Sequence, residues 1–189
     1  AKMLFLPNPL APTGGITRDE DILKIVQNLP ETLIIVDEAY VEFASQKSMI
    51  THIETFQNLA VIRTLSKFFG LAAIRLGFVF TNFKSEILKV KAPYNVNSIT
   101  AQIGINLFEN IKNEDISERC LLNEKNKIEM VEFLKQFSEI IKIHESYANF
   151  LFIELNSKSK AFEEKLLKFY NMKIKSFSGK FENYCRISL

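Results

Sequence analysis

At 189 residues, 47% hydrophobic and 24% charged, the chain is long enough to bury a sizeable core in one large domain or two small ones, and its 17 phenylalanines can fill much of it. The formal net charge of +2 is too small to be a nucleic-acid footprint, and lysines interspersed with glutamates read as solvated helix surface. No apolar run approaches a membrane span, Leu4-Phe5-Leu6 is too short for a signal-peptide core, and Cys120 and Cys185 sit in no metal or redox spacing, so the expectation is reduced thiols in a cytoplasmic protein.

In chain order, Met3 to Leu6 reads as a short buried strand, followed by a loop dense in turn formers from Pro7 to Gly15. Thr17 and Glu20 have the spacing of a capping box. Ile22, Ile25, Val26 and Leu29 then give the helix its buried stripe, and Pro30 ends it. The continuous apolar run Leu33-Ile34-Ile35-Val36 suits a strand covered on both faces, as in a parallel sheet. Leu59–Thr64 is the next such strand, reached by a crossover, and Gly77–Thr81 another. This is the grammar of an α/β domain, in which ligands bind beyond the carboxyl ends of the strands.

After Lys84 the pattern changes. Ser85–Lys91 and Ser98–Ile111 read as helices. Asp115–Phe137 reads as a longer amphipathic one with Leu121, Ile128, Val131 and Leu134 on one face. Strands at Ile140–Ile143, Phe150–Leu155, Lys173–Phe177 and Tyr184–Leu189, with a helix over Lys160–Tyr170, make a smaller α+β unit. The expected boundary lies near Asn113, giving domains 1–112 and 113–189. Because the chain begins and stops almost directly on apolar strands, the expectation is a fragment of a longer polypeptide.

Lys67 carries the chemistry. Most lysines are exposed surface, but this one stands at a strand end, after Thr64 and Ser66 and before two phenylalanines. In a dry pocket its ammonium is disfavoured and the amine becomes a nucleophile. Thr64, Ser66 and Arg75 suit a phosphate, since hydroxyls are directional donors and a guanidinium grips two oxygens at once; the alternative for Arg75 is a surface arginine. Asp37 ends the preceding strand, where an aspartate is a turn former or a metal ligand. Its one acidic neighbour, Glu38, should point the other way, so no metal site is read.

Pro12-Thr13-Gly14, Asp37-Glu38-Ala39-Tyr40, Thr64-Leu65-Ser66-Lys67 with Arg75 eight residues on, and Arg186-Ile187-Ser188 follow one another in an order that resembles the fold-type I aminotransferases, most closely the histidinol-phosphate aminotransferase family. The resemblance covers essentially the whole chain. It implies an α/β large domain, here partial, with a mostly parallel sheet, a small C-terminal α+β domain, pyridoxal 5'-phosphate (PLP) as cofactor and a cytoplasmic homodimer. By the same resemblance Lys67 is the cofactor-bearing catalytic lysine, Asp37 the partner of the pyridine nitrogen and Tyr40 the donor to the phenolic oxygen. Thr64, Ser66 and Arg75 are then the phosphate ligands, Arg186 the substrate anchor, and Asn97 a residue near the substrate. The family's asparagine before Pro-Thr-Gly is Ala11 here, with Asn8 as the candidate substitute, and Phe68 stands where a small residue is usual. The implied reaction is transamination between L-histidinol phosphate and 2-oxoglutarate in histidine biosynthesis. The alternatives are threonine-phosphate decarboxylation, aromatic amino-acid transamination, and a non-catalytic truncated piece.

Overall fold

The computed structural model describes residues 2–44 and 46–189. The chain forms two compact units, one comprising residues through Pro9 together with Thr17–Ile116, the other Leu10–Ile16 with Ser117–Leu189.

The first unit is built on a four-stranded sheet of β1 (Met3–Pro7), β2 (Leu33–Asp37), β3 (Leu59–Thr64) and β4 (Gly77–Thr81), in that spatial order. β1 and β3 flank β2 in parallel, as continuous apolar runs suggest, and β4 returns antiparallel to β3. The mostly parallel sheet is as expected, and β4 is its antiparallel exception. Residues 65–76 simply turn the chain back along β3.

Helix α1 (Asp19–Asn28) lays Ile22 and Val26 on one sheet face, where Ile34, Val36, Leu59 and Val61 meet them together with Met49 and Ile53. Each of these side chains is buried, a gain of about 1.5–3 kcal/mol apiece. Asp19, Glu20 and Asp21 crowd the first turn of α1, where the helix dipole favours negative charge. Thr17 is not the cap, however. The helix begins after Arg18 without a side-chain cap, because the Asn8 amide holds the Thr17 backbone at both ends, accepting from its N–H at 2.8 Å and donating to its carbonyl at 3.1 Å. At the other end, the Asn58 amide donates to the carbonyls of Val26, Leu29 and Thr32, tying the C-terminus of α1 to the approach of β2.

β1 is not a buried strand. Leu4 and Leu6 pack on the α1 core, but Met3 and Phe5, on the opposite face of this edge strand, are 49% and 57% exposed. Beyond β4 come α2 (Lys84–Val90) and α3 (Ser98–Asn110); then α4 (Asn113–Leu134) runs from the first unit into the second.

In the second unit β5 (Ile140–Ile143), β6 (Phe150–Leu155), β7 (Lys175–Ser176) and β8 (Tyr184–Ser188) form an antiparallel sheet in the order β5-β6-β8-β7. Leu134, Leu151, Ile153, Leu155, Ile174 and Cys185 make its core, with Phe162 and Leu166 of α5 (Ser159–Tyr170) packed against it. Leu134 and Val131 of the expected α4 stripe do join this core. Leu121 and Ile128 instead stand 72% and 62% exposed, because α4 meets the core through its last turns. The expected strand at Lys173–Phe177 shrinks to two residues as Ile174 turns into the core and Phe177 meets the Phe152 ring at 5.8 Å. No helix among the described residues is long and apolar enough to cross a membrane.

Candidate active site

Parallel register aligns the carboxyl ends of the first three strands. Pro7 pairs with Asp37 and Asp37 with Ile62; the Asn8 N–H donates to the Asp37 carbonyl at 2.8 Å and the Glu38 N–H to that of Ile62 at 2.9 Å. Asn8, Asp37 and the segment leading to Lys67 therefore hang from one sheet edge, where open α/β sheets place their ligands.

Side-chain alternation sorts the residues at this edge. Ile34 and Val36 face the α1 core, and Asp37 lies on the other face with Ile35. The Asp37 carboxylate accepts the Ala39 N–H at 3.0 Å, a local turn that launches the helical turn Val41–Phe43. Tyr40 is buried at its start. Thr64 makes the equivalent turn after β3: its hydroxyl accepts the Ser66 N–H at 3.1 Å and donates to the Leu76 carbonyl at 3.2 Å. Phe68 is anchored edge-on against Phe43 at 5.1 Å. With these residues fixed on either side, the Lys67 ammonium stands over the Tyr40 ring, 5.3 Å from its centroid. This is cation–π range.

The structure thus brings Lys67 and Tyr40 together, and sets Asp37 on the adjoining strand end. It departs from the sequence reading at several points. Lys67 is exposed and not held in a dry pocket. The Asn8 amide is spent on Thr17, with Gln46 Oε1 taking a further hydrogen at 3.4 Å, so it has nothing left for a cofactor oxygen. The Thr64 hydroxyl hydrogen is likewise spent within its turn, which makes it a holder of the lysine loop. Asn97 caps α3 by accepting the Thr100 N–H at 2.8 Å, a structural duty. Arg75 is exposed, donates to the Ala72 carbonyl at 3.0 Å and sits at φ 57°, a left-handed conformation that costs a non-glycine residue about 1 kcal/mol.

In the second unit, Arg186 of β8 lays its guanidinium over the Phe150 ring at 5.0 Å, with its Nε buried and without a hydrogen-bond partner among the described residues. Its register neighbour Lys175 lines a cavity of about 430 Å³ with Ser176, Phe177 and Glu182.

The sequence reading missed a charged group beneath the first unit's edge. Glu38 is 2% exposed; its Oε2 accepts from the Ser48 hydroxyl at 2.5 Å and its Oε1 from the Met49 N–H at 2.6 Å. Arg63 reaches Glu42 at 2.6 Å and Glu38 at 3.5 Å. Burial pushes the Glu38 carboxyl above the ordinary glutamate range, outweighing the hydrogen bonds and Arg63, which pull it down. An arginine inside the apolar run Leu59–Thr64 was the available signal, since a buried guanidinium requires anionic partners.

The sequence matches the family described as Aminotransferase class I and II over residues 1–189. This chain belongs to the class I and II aminotransferases. Among this aminotransferase chain's relatives, a protein of Clostridium novyi named histidinol-phosphate aminotransferase is 37% identical over 196 residues, taking in 100% of this chain and 52% of that protein. The crystal structure of the histidinol-phosphate aminotransferase from Clostridium acetobutylicum superposes with a TM-score of 0.89 at 26% identity, covering 99% of this chain and 58% of that one. That of the Sinorhizobium meliloti enzyme in complex with pyridoxal-5'-phosphate gives 0.88 at 22% identity, covering 100% and 53%. The aminotransferase chain spans about half the length of the relatives it matches. The fold-type I assignment stands, with its mixed α/β architecture.

Proposed function

We propose that this chain is the part of a PLP-dependent aminotransferase that carries the catalytic lysine, and that the enzyme transfers the amino group of L-histidinol phosphate to 2-oxoglutarate. The observation that carries the reading is the Lys67 ammonium poised over the Tyr40 ring at the edge where β2 and β3 end. An amine, a phenol, a carboxylate, a hydroxyl and a guanidinium at one sheet edge form a donor set that suits PLP: Lys67 for its aldehyde carbon, Asp37 for the ring nitrogen, Tyr40 for the phenolic oxygen, Ser66 and Arg75 for the phosphate. When bound, PLP supplies an electron sink for the carbanion formed at the substrate α-carbon. The Lys67 amine would take the proton from that carbon as general base and, as the ammonium so formed, would deliver it at the aldehyde carbon of the cofactor as general acid. Asp37 keeps a proton on the ring nitrogen by pairing with its charge. Arg186 is assigned the substrate's phosphate. In this reading 1–112 is a partial large domain, 113–189 a small one, and the enzyme a cytoplasmic homodimer.

The direct test adds PLP to the protein, reduces with borohydride and maps the attached pyridoxyl group by peptide mass. Attachment at Lys67 is expected; attachment spread over other lysines with Lys67 bare would sink the assignment. A substrate panel on the full-length enzyme then reads specificity. Turnover of L-histidinol phosphate is expected, and equal turnover of amino acids without a phosphate ester would point to the aromatic alternative.

A further inference from the structure

The β2–β3 ladder ends at Asp37 and Ile62, with one further backbone bond from the Glu38 N–H. Tyr40 and Lys67 both lie beyond it, on segments no longer joined by backbone pairing. Side chains take over. The Phe43 and Phe68 rings meet at 5.1 Å on the far side of the pair. On the near side Arg63, one residue before Thr64, reaches across to Glu42, two residues after Tyr40, at 2.6 Å. The same guanidinium lies 3.4 Å from the Ser48 hydroxyl, which donates to Glu38.

We propose that Arg63 is a positioning residue: by bridging Glu42 and the Glu38–Ser48 pair it fixes the Tyr40 turn against the lysine segment and so sets the approach of Lys67 to the Tyr40 ring. The Arg63 side chain is only 22% exposed and the Glu42 side chain 9%, so their ion pair is weakly screened and stiff where exposed pairs are loose. A guanidinium can bridge two acceptors at once, which an ammonium does poorly. And it spans the two segments where the backbone ladder no longer does. Its importance for catalysis rests on the reading of Lys67 and Tyr40 above; the contact it sets does not.

The test therefore reads the contact itself. Heteronuclear NMR of the full chain follows the Lys67 Hε resonance, assigned with Lys67→Arg. Tyr40→Leu defines the shift due to the ring. In Arg63→Gln, and independently in Glu42→Gln should the first variant fold poorly, the Lys67 resonance is expected to move to its Tyr40→Leu position while the Val61 and Ile34 methyl signals stay put. Arg63→Lys should restore part of the shift. A folded Arg63→Gln or Glu42→Gln protein with an unmoved Lys67 resonance would overturn the proposal. The PLP-attachment experiment fails or succeeds separately: an Arg63-dependent Lys67 signal in a protein that takes no PLP at Lys67 would leave the positioning role standing and remove the catalytic reading.

Discussion

Replacing Gly14 with Ala should destabilise the second unit through a close contact that can be separated from backbone strain. Gly14 sits at φ +80° in the Pro-Thr-Gly turn, and its carbonyl accepts the Tyr147 N–H at 2.8 Å. A Cβ placed there would lie 2.6 Å from the Ser146 Cβ and 2.9 Å from its Cα, and closer still to the hydroxyl oxygen. Backbone atoms are among those met, so rotating the serine side chain gives no escape. The left-handed conformation costs alanine about 1 kcal/mol and the overpacking a further 1–3 kcal/mol, some 3 kcal/mol together. For a protein of this size that is a fall of roughly 6–12 °C in Tm by calorimetry. Gly179 supplies the control. It has φ +62° with nothing within 4 Å of an added Cβ, so Gly179→Ala should carry the strain alone, about 1 kcal/mol or roughly 2–4 °C. Pairing Gly14→Ala with Ser146→Gly should recover part of the difference, because it removes the serine Cβ and Oγ but not the Cα. Equal falls for Gly14→Ala and Gly179→Ala would refute the close contact.

Lys67→Ala should leave Tm within roughly 1–2 °C, as exposed substitutions do, yet lower turnover of L-histidinol phosphate by the full-length enzyme at least a hundredfold, on the order expected for loss of a general base. Tyr40→Phe keeps the ring under Lys67 and loses only the hydroxyl. PLP retention measured by equilibrium dialysis should weaken by about 2 kcal/mol, roughly 30-fold. Asn58→Ala strips three carbonyls of their shared donor at the end of α1 and should cost about 1–3 kcal/mol in urea unfolding, with faster amide exchange in the last turn of α1. Glu38 has a raised folded-state pKa, so the folded protein binds more protons than the unfolded one above the ordinary glutamate range. Its contribution is fully present below the unfolded value and is lost as pH rises through the folded value. The stability of wild type relative to Glu38→Gln, followed by denaturation from acid to neutral pH, should fall as pH rises; a difference that grows with pH would contradict the burial of this carboxyl.

Much of the first unit was legible because continuous apolar β-branched runs have few other uses. Leu33–Val36 and Leu59–Ile62 had to be strands covered on both faces, and polar residues just beyond such strands had to stand at the carboxyl edge. The misreadings share a different cause. Thr17 against Glu20 is a local pattern, but the Asn8 side chain, nine residues away, engages the Thr17 backbone from outside that pattern. Leu121 and Ile128 keep helical spacing, yet periodicity identifies a face without supplying a surface to cover it. The Arg63–Glu42 pair joins residues 21 apart, which no local spacing rule connects.

The residues at the sheet edge divide by burial in a way that explains why the proposed chemistry was easier to read than its support. Lys67 and Arg75 are exposed, and Asp37 and Ser66 are half-buried. Packing alone accounts poorly for residues so placed, so their identities are legible as chemistry. Glu38 and Tyr40 are buried and the Arg63 side chain is 22% exposed; Tyr40 was legible only through the motif it belongs to, while Glu38 and Arg63 answer to neighbours that no local pattern shows. A reactive amine needs a free end, but it also needs a base that does not wander. Here the base is supplied by a parallel ladder as far as Ile62, a half-buried guanidinium at Arg63, a hydroxyl-closed turn at Thr64 and an aromatic anchor at Phe68. Each is a conventional stabilising device, and together they fix the backbone from which the exposed Lys67 side chain extends over the Tyr40 ring.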